Sequence, residues 1–289
     1  MVNQPVPRSV FIAVHPFVHQ AAVEARDVVQ MLQDGGLHVV SGTFDDEAMR
    51  ARVRAREFDM VVVMGGDGTM LRAGHLCAPL DIPVLGINMG HFGFLYELQR
   101  ADWMNSLPLL LQGDYWLERR MMMRAAFCRG ASTLGQWEVL NDVVVCRGQY
   151  VRPVQLRAFV NGGLFASYVA DGLIASTATG STAYALAAGG PILPPDLRNI
   201  LMVPVAPHLS VDRAVVLAEG AAVTIEVVSA NQAVLSVDGQ PPIVLDNGDR
   251  VEVTSSAHSL PLVRFQDPGY FYRNLTSHME QNPLFGASK

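Results

Sequence analysis

Between residues 9 and 112, short apolar β-rich runs alternate with stretches whose apolar positions recur every three to four residues. That alternation predicts crossover units around a parallel sheet. The first strand is expected at 10–14, followed by a helix over 18–33 in which Ala22, Ala25, Val29 and Leu32 share a face before the Gly35-Gly36 stop. Residues 37–40 read as a second strand and the Arg-rich 45–57 as a second helix. Residues 58–64 form a nearly continuous apolar run, as expected of a strand covered on both faces, and 82–87 reads as its partner.

Beyond Gly113 the pattern changes. Runs at 121–128, 139–146, 154–160, 223–228, 233–237 and 250–254 are β-branched, and Asn161-Gly162, Asp238-Gly239 and Asn247-Gly248 are dipeptides preferred in tight reversals. Two packed antiparallel sheets are expected. One helix is predicted here, from about Gly180 through Ala188, stopped by Gly189-Gly190-Pro191. The reading divides the chain into an α/β domain with a parallel, Rossmann-like sheet (1–113), an all-β two-sheet antiparallel domain (114–264) and a tail (265–289). Tyr270, Phe271 and Tyr272 make that tail aromatic enough to dock.

Composition narrows the function. The 289 residues, half of them apolar, suffice for two cored domains. A net charge of −6 leaves no global excess of positive charge for a phosphate backbone, so nucleic acid is not an expected partner. All basic residues but Lys289 are Arg, which excludes mechanisms that place a lysine on a phosphate or in a Schiff base, Walker-type and protein-kinase-type sites among them. Cys77, Cys128 and Cys146 lack zinc-site spacing and fit a reducing cytosol. Residues 1–8 do not read as a signal peptide, and no apolar stretch approaches the roughly 20 residues of a membrane span. A cytoplasmic protein with no membrane partner is expected.

The sharpest chemical feature is Gly65-Gly66-Asp67-Gly68-Thr69, at the end of the apolar strand and the start of a helix, where open α/β sheets bind ligands. Its glycines let backbone amides turn toward an anion, and the helix start adds unpaired N–H groups. A carboxylate inside a phosphate cradle serves phosphoryl transfer if it coordinates a bridging cation or accepts a proton from an attacking hydroxyl; otherwise Asp67 is a helix N-cap. Arg72, one turn on, is placed to reach a phosphate.

A second cluster, DGLIASTATGSTAYALAAGGP from Asp171 to Pro191, is rich in hydroxyls and small residues that allow a planar ligand close to the backbone. Ser181 lacks the surroundings of a nucleophile, so capping and ligand contact are its expected roles. The third, Asn141-Asp142, places a polar pair in an apolar run; it is either satisfied internally or faces a polar ligand such as a ribose. Asp238-Gly239-Gln240 reads as a hairpin turn, and His15, His91 and His208 show no metal-ligand spacing and read as structural.

Taken in order, the 65–69 loop, Gly86-Ile87-Asn88 with Gly90-His91-Phe92-Gly93-Phe94-Leu95, Leu140-Asn141-Asp142 and the 171–191 run resemble the NAD kinase family over nearly the whole chain. The glycine loop is also shared with diacylglycerol, sphingosine and 6-phosphofructo kinases; the Ser-Thr-Ala-Tyr run with its trailing Gly-Gly-Pro narrows the match. The resemblance implies transfer of a phosphate from ATP, or from polyphosphate, to the 2′-hydroxyl of the adenosine ribose of NAD, giving NADP. By resemblance Asp67 accepts the hydroxyl proton, Gly65, Gly66, Gly68 and Thr69 belong to the phosphate loop, and Arg72 contacts nucleotide. Asn141 and Asp142 match a pair that holds a ribose and base, and Arg152 a basic contact. Asp171, Thr182, Ala183, Tyr184, Ala187 and Gln240 match the dinucleotide pocket. The likeness also implies a divalent cation, usually magnesium, between donor phosphates, assembly as a homodimer or homotetramer, and a tail returning to the first domain. Two residues before Asp171, where relatives carry Arg or Gly according to their preference for NAD or NADH, this chain has Val169, which matches neither. The rival readings are a lipid or sphingoid-type kinase, which would need an apolar acceptor channel, and a non-catalytic dinucleotide sensor.

Overall fold

The structure is a computed structural model that describes residues 4–90, 93–149, 152–208 and 211–281. His91, Phe92, Lys289 and the end of the tail beyond 281 lie outside the described residues. The chain forms two compact units, Met1–Arg120 with His258–Lys289, and Met121–Ala257.

The first unit opens with β1 (Ser9–Val14), α1 (His19–Asp34), β2 (His38–Gly42), α2 (Glu47–Arg54), β3 (Met60–Gly65) and α3 (Asp67–Cys77). It continues through β4 (Val84–Asn88), the short β5 (Leu98–Gln99) and α4 (Trp103–Leu111). The strands lie parallel in the order β2-β1-β3-β4, with Val10 beside Met60 and Val61 beside Val84. Strand side chains alternate in direction, and here both faces are covered. Val10, Ile12, Met60, Val62 and Met64 pack with Ala21, Ala25, Val28 and Leu32 of α1 and with Trp103, Leu107 and Leu110 of α4. Phe11 instead meets Phe44 and Phe58, at ring-centroid distances of 5.7 and 5.5 Å. Double coverage is why 58–64 carries no polar alternation. The second helix is shorter than predicted because the Asp46 carboxylate accepts the Ala48 N–H (2.8 Å) and caps it, with Glu47 in the first turn and Arg52 and Arg54 in the last.

Sequential strands lie on both sides of β1, so the chain reverses its direction of travel across the sheet there. The exits of β1 and β3 diverge as a result, opening the crevice at the carboxyl ends of the strands that such sheets use for ligands.

The second unit draws on β6 (Trp116–Arg129), β7 (Ser132–Val139), β8 (Asp142–Arg147), β9 (Val154–Val160), β10 (Gly163–Ala170) and β11 (Gly172–Ser176). A four-residue α5 (Tyr184–Ala187) follows, then β12 (Ile200–Val205), β13 (Val215–Leu217), β14 (Val223–Val227), β15 (Ala233–Val237), β16 (Ile243–Leu245) and β17 (Arg250–Arg264). One antiparallel sheet has the order β13-β12-β11-β8-β15-β16, and in the other β9 lies between β10 and β14. Val143, Val145, Leu173 and Leu235 of the first sheet meet Leu156, Ala158, Val223 and Ile225 of the second, forming the core of a β-sandwich. The intervening Val144 and Ile174 point outward and are covered by Ala178, Ala185 and Leu193. The Asn161-Gly162 and Asp238-Gly239 reversals hold both residues at positive φ, from 47° to 79°.

Two local expectations are corrected. The run 139–146 is not one strand: β7 ends at Val139 and β8 begins at Asp142, so the polar pair sits at a break where backbone groups need other partners. The single helix expected over 180–188 is a 3-10 turn (Thr179–Thr182) and then α5, separated by Ala183 at φ −97°, ψ −130°. Tertiary contacts override helix propensity there: a Cβ on Gly180 would overlap the Asn141 carbonyl, and Ser181 Oγ is bonded to Ala178 O (2.6 Å) and Leu193 N (2.9 Å).

The chain returns to the first unit at His258, pairs Leu262 with Val84, and ends in α6 (Tyr270–Gln281). A buried ionic cluster ties this segment down. Glu118 accepts from Arg120 (2.9 Å), Arg264 (2.8 Å) and the Tyr270 hydroxyl (3.0 Å), and Glu97 accepts the Phe265 N–H (2.9 Å). Burial works against the Glu118 charge, but the two guanidiniums prevail and hold its carboxyl below the usual range.

Candidate active site

The glycine loop lies where β3 leaves the sheet. Gly66 is the N-cap of α3 and Asp67 its first helical residue, so Asp67 does not cap the helix. Added Cβ atoms on Gly66 and Gly68 would meet nothing within 4 Å, which leaves this backbone open to a ligand. Gly65 does need its hydrogen, because a Cβ there would come within 2.7 Å of Thr69 Oγ1. The loop lines a cavity of about 180 Å³ together with residues 14–17, 43–44 and Arg72. This is the crevice that the strand order opens between β1 and β3. Arg72 is at the cavity but held by Asp45 (2.6 Å), an exposed ion pair of the kind that contributes little to stability. His15, read from the sequence as structural, also lines the cavity, and its Nδ1 accepts the Phe17 N–H (3.2 Å).

Solvent reaches Asp67, but the surrounding protein mass still desolvates the carboxyl and raises its pKa above the usual range. Gly93, named from the sequence only as part of the family motif, and Tyr96, which sequence reasoning did not name, hold this corner. A Cβ on Gly93 would overlap Asp67 Oδ1, so the carboxyl rests directly on the backbone of the 93–95 run. Tyr96, 2 % exposed, donates its hydroxyl to Gly66 O (2.8 Å), which also accepts the Thr69 N–H (2.8 Å). Its ring leaves no room for a side chain at Gly86. A peptide is planar and trans, so fixing the Gly66 carbonyl inward turns the Asp67 N–H outward, toward the helix mouth. Burial, and then the Asp67 charge, push the Tyr96 phenol well above its ordinary range, so it remains a donor.

In the second unit the Asn141-Asp142 break is built around Asp238. Its carboxylate accepts N–H groups from Leu140 (2.7 Å), Asn141 (2.7 Å) and Asp142 (2.9 Å). Sequence reading saw only a turn there; the β15–β8 register, Val237 beside Val143, is the signal that brings Asp238 to Asp142. Two hydroxyls of the Ser/Thr run also serve this break: Ser176 donates to Asn141 O (3.0 Å) and Thr177 to Leu140 O (2.5 Å). Asp142 is 6 % exposed, and burial followed by the Asp238 charge lifts its carboxyl to about 7, against one bond from the Tyr184 N–H.

Around it stand Asp171, paired with Arg147 (3.0 Å), and Tyr184, 45 % exposed, whose phenol is raised by burial and then by Cys146, Asp171 and Asp142. Thr182 donates to Thr179 O (3.2 Å), Ala183 N–H to Gly180 O (2.9 Å), and Ala187 is exposed at the end of α5. Gln240 closes the turn after β15, its N–H on Val237 O (2.9 Å). Arg152 is exposed in the bend before β9 and bonds to none of Asp142, Asp171 or Tyr184. No cluster of three or more His, Cys, Asp or Glu side chains able to hold a metal occurs among the described residues.

The ATP-NAD kinase N-terminal domain profile matches residues 41–115 and the ATP-NAD kinase C-terminal domain profile residues 140–265. The NAD kinase of Heliobacterium modesticaldum is 41 % identical over 231 residues, covering 80 % of this chain and 81 % of that protein. The chain belongs to the NAD kinase family. The NAD kinase of Chloroflexus aurantiacus is 36 % identical over 258 residues, 89 % of this chain and 93 % of its own. Two crystal structures share the fold. Yeast NADH kinase complexed with NADH has a TM-score of 0.80 at 24 % identity, covering 99 % of this chain and 91 % of its own. The NAD kinase from Archaeoglobus fulgidus in complex with ATP has a TM-score of 0.71 at 23 % identity, covering 93 % and 97 %. The α/β unit with a parallel sheet and the antiparallel two-sheet unit are thus the NAD kinase fold.

Three outcomes follow for a family member built this way. Gly93→Ala should displace the Asp67 carboxyl and lower kcat about tenfold or more with little change in Tm; an unchanged kcat would show that the contact does not position it. Tyr96→Phe keeps the ring but frees the Gly66 carbonyl. Its lost bond, about 1 kcal/mol, should raise KM for the phosphate donor roughly fivefold and leave KM for the dinucleotide alone. Asp142 bears on stability: with a folded pKa of about 7 against roughly 3.9 unfolded, the folded state binds more protons between those values. Stability from this group is therefore lost as pH rises through that window. Thermal melts of wild type and Asp142→Asn should show the wild type falling relative to the variant between pH 5 and 8, and parallel profiles would refute the shift.

Proposed function

We propose that the chain is an NAD kinase that transfers the terminal phosphate of ATP to the 2′-hydroxyl of the adenosine ribose of NAD. Family membership supports the reaction, and the placement of Asp67 supports the mechanism. A carboxyl with a raised pKa, at the first residue of a helix whose free N–H groups face a cavity, combines a base with an anion site in one loop. The 2′-oxygen attacks the terminal phosphorus, the bond to the departing diphosphate breaks, and the hydroxyl proton passes to Asp67. The amides following Gly66 hold phosphate oxygens, and Arg72 exchanges Asp45 for the incoming anion. Asn141, Asp142, Asp171, Tyr184 and Gln240 bind the dinucleotide, with Asp238 fixing the backbone of the first two.

Magnesium fits these residues as a substrate-borne cation. It commonly uses one or two carboxylates plus phosphates and water, and the phosphate cavity contains one carboxylate and no metal cage. Bound there, it would neutralise charge on the donor phosphates. Self-association as a homodimer or homotetramer, use of polyphosphate as donor and a cytoplasmic location belong to the same reading and rest on the family likeness. Among the described residues no helix is long and apolar enough to cross a membrane.

The decisive variant is Asp67→Asn. Turnover of ATP and NAD to NADP should fall about 10²–10⁴-fold, while Tm and NAD affinity by titration stay near wild type. In the wild type, kcat/KM should decline on acidification at a pH above that of an ordinary aspartate, because protonated Asp67 cannot accept the proton. Full turnover by Asp67→Asn would overturn the assignment.

A further inference from the structure

The short segment from Gly93 to Glu97 lies between the glycine loop and the returning tail and is gripped by both. Two of its residues face the loop: Gly93 backs the Asp67 carboxyl, and Tyr96 donates its hydroxyl to Gly66 O (2.8 Å). The other three are held by the tail. The Phe94 ring meets Phe271 of α6, with centroids 6.5 Å apart. The Leu95 carbonyl accepts Arg264 Nη1 (3.3 Å), and the Glu97 carboxylate accepts the N–H groups of Phe265 (2.9 Å) and Gln266 (2.5 Å). Residues 93–97 belong to no helix or strand, so packing and side-chain bonds set where they lie. Loop, segment and tail all fall within the first unit.

Arg264 is the centre of the tail's grip. It is 1 % exposed, its Nε bonds Glu118 (2.8 Å), and its guanidinium lies over the Tyr270 ring, 5.1 Å from the centroid. A guanidinium carries its donors in a rigid plane, so once Glu118 and the ring fix that plane the direction of Nη1 toward Leu95 follows. Nη2 has no partner among the described residues, so no further bond restores the grip if the plane turns. Gly93 is two residues before Leu95 and Tyr96 is the next residue. Trans peptides are stiff and of fixed length, so a displaced Leu95 carries both with it. We infer that Arg264 is a positioning residue for phosphoryl transfer, holding the 93–97 segment against Asp67 and Gly66 through the Leu95 carbonyl. The role rests on the reading of Asp67 as proton acceptor and deepens it. It makes the docked tail part of the frame of the site, although none of the described tail residues lines the phosphate cavity.

Arg264→Lys keeps a charge beside Glu118 but lacks the fork that also reaches Leu95. With ATP and NAD its kcat should fall about tenfold while KM for NAD stays within about twofold, because a displaced acceptor slows the chemical step without removing a dinucleotide contact. Made together with Asp67→Asn, the same exchange should leave the residual rate at saturating substrates within about twofold, since no acceptor remains to be misplaced. Tyr270→Phe controls for the stability of the tail. It removes the hydroxyl bond to Glu118 and keeps the ring beneath Arg264, so Tm should fall while kcat holds. If Arg264→Lys does not fold, Phe271→Leu loosens Phe94 instead and should give the same pattern. An unchanged kcat, an equal loss with and without Asp67→Asn, or a loss of kcat in Tyr270→Phe matching that in Arg264→Lys would overturn the inference alone. Full turnover by Asp67→Asn by itself would overturn the proton-acceptor reading and the inference with it, so the two failures are told apart.

Discussion

Bringing a carboxyl against bare backbone is the constraint on which the site depends. Asp67 rests on Gly93, and its peptide is fixed from behind by the Tyr96 hydroxyl on Gly66 O. The carboxyl pays for this position with a raised pKa, since the crowding that fixes it also desolvates it. That cost coincides with what a proton acceptor requires, a basicity above that of a free aspartate and a fixed direction. The same crowding explains why Gly86 must remain glycine: the Tyr96 ring occupies the space a side chain there would need.

The second unit solves a related problem by other means. A break between strands leaves backbone N–H groups at Leu140, Asn141 and Asp142 without ladder partners, and one carboxylate, Asp238, takes all three. The carbonyls of Leu140 and Asn141 are taken by Thr177 and Ser176. Two members of the hydroxyl run thereby act as scaffolding for the break, and Ser181 joins Ala178 to Leu193. Asp142, placed beside the carboxylate that organises it, is thereby biased toward its protonated form.

Much of this was legible in the sequence where one local cause dominates. The runs at 154–160 and 233–237 coincide with β9 and β15, and the unbroken apolar stretch at 58–64 announced a strand buried on both faces. The glycine loop could be placed at a strand end because Gly and Asp follow directly on that stretch. The rest depends on register. β11 and β12 lack clean alternation, Tyr96 reads as one more aromatic, and Asp238 reads as a turn until β15 is laid against β8. The helix expected at 180–188 failed for the same reason, since the closeness of Gly180 to Asn141 is invisible in the chain order.

A chain of net charge −6 whose one lysine is its last residue must recruit polyanionic substrates by local means. Backbone amides at a helix start supply part of the attraction without any side chain, and glycine makes them reachable. On the proposed function Arg72 adds a side-chain charge, which is paired with Asp45 before phosphate binds. An exposed ion pair of this kind is weak enough to exchange, and the proposed function uses it that way, with phosphate taking the place of Asp45 on Arg72.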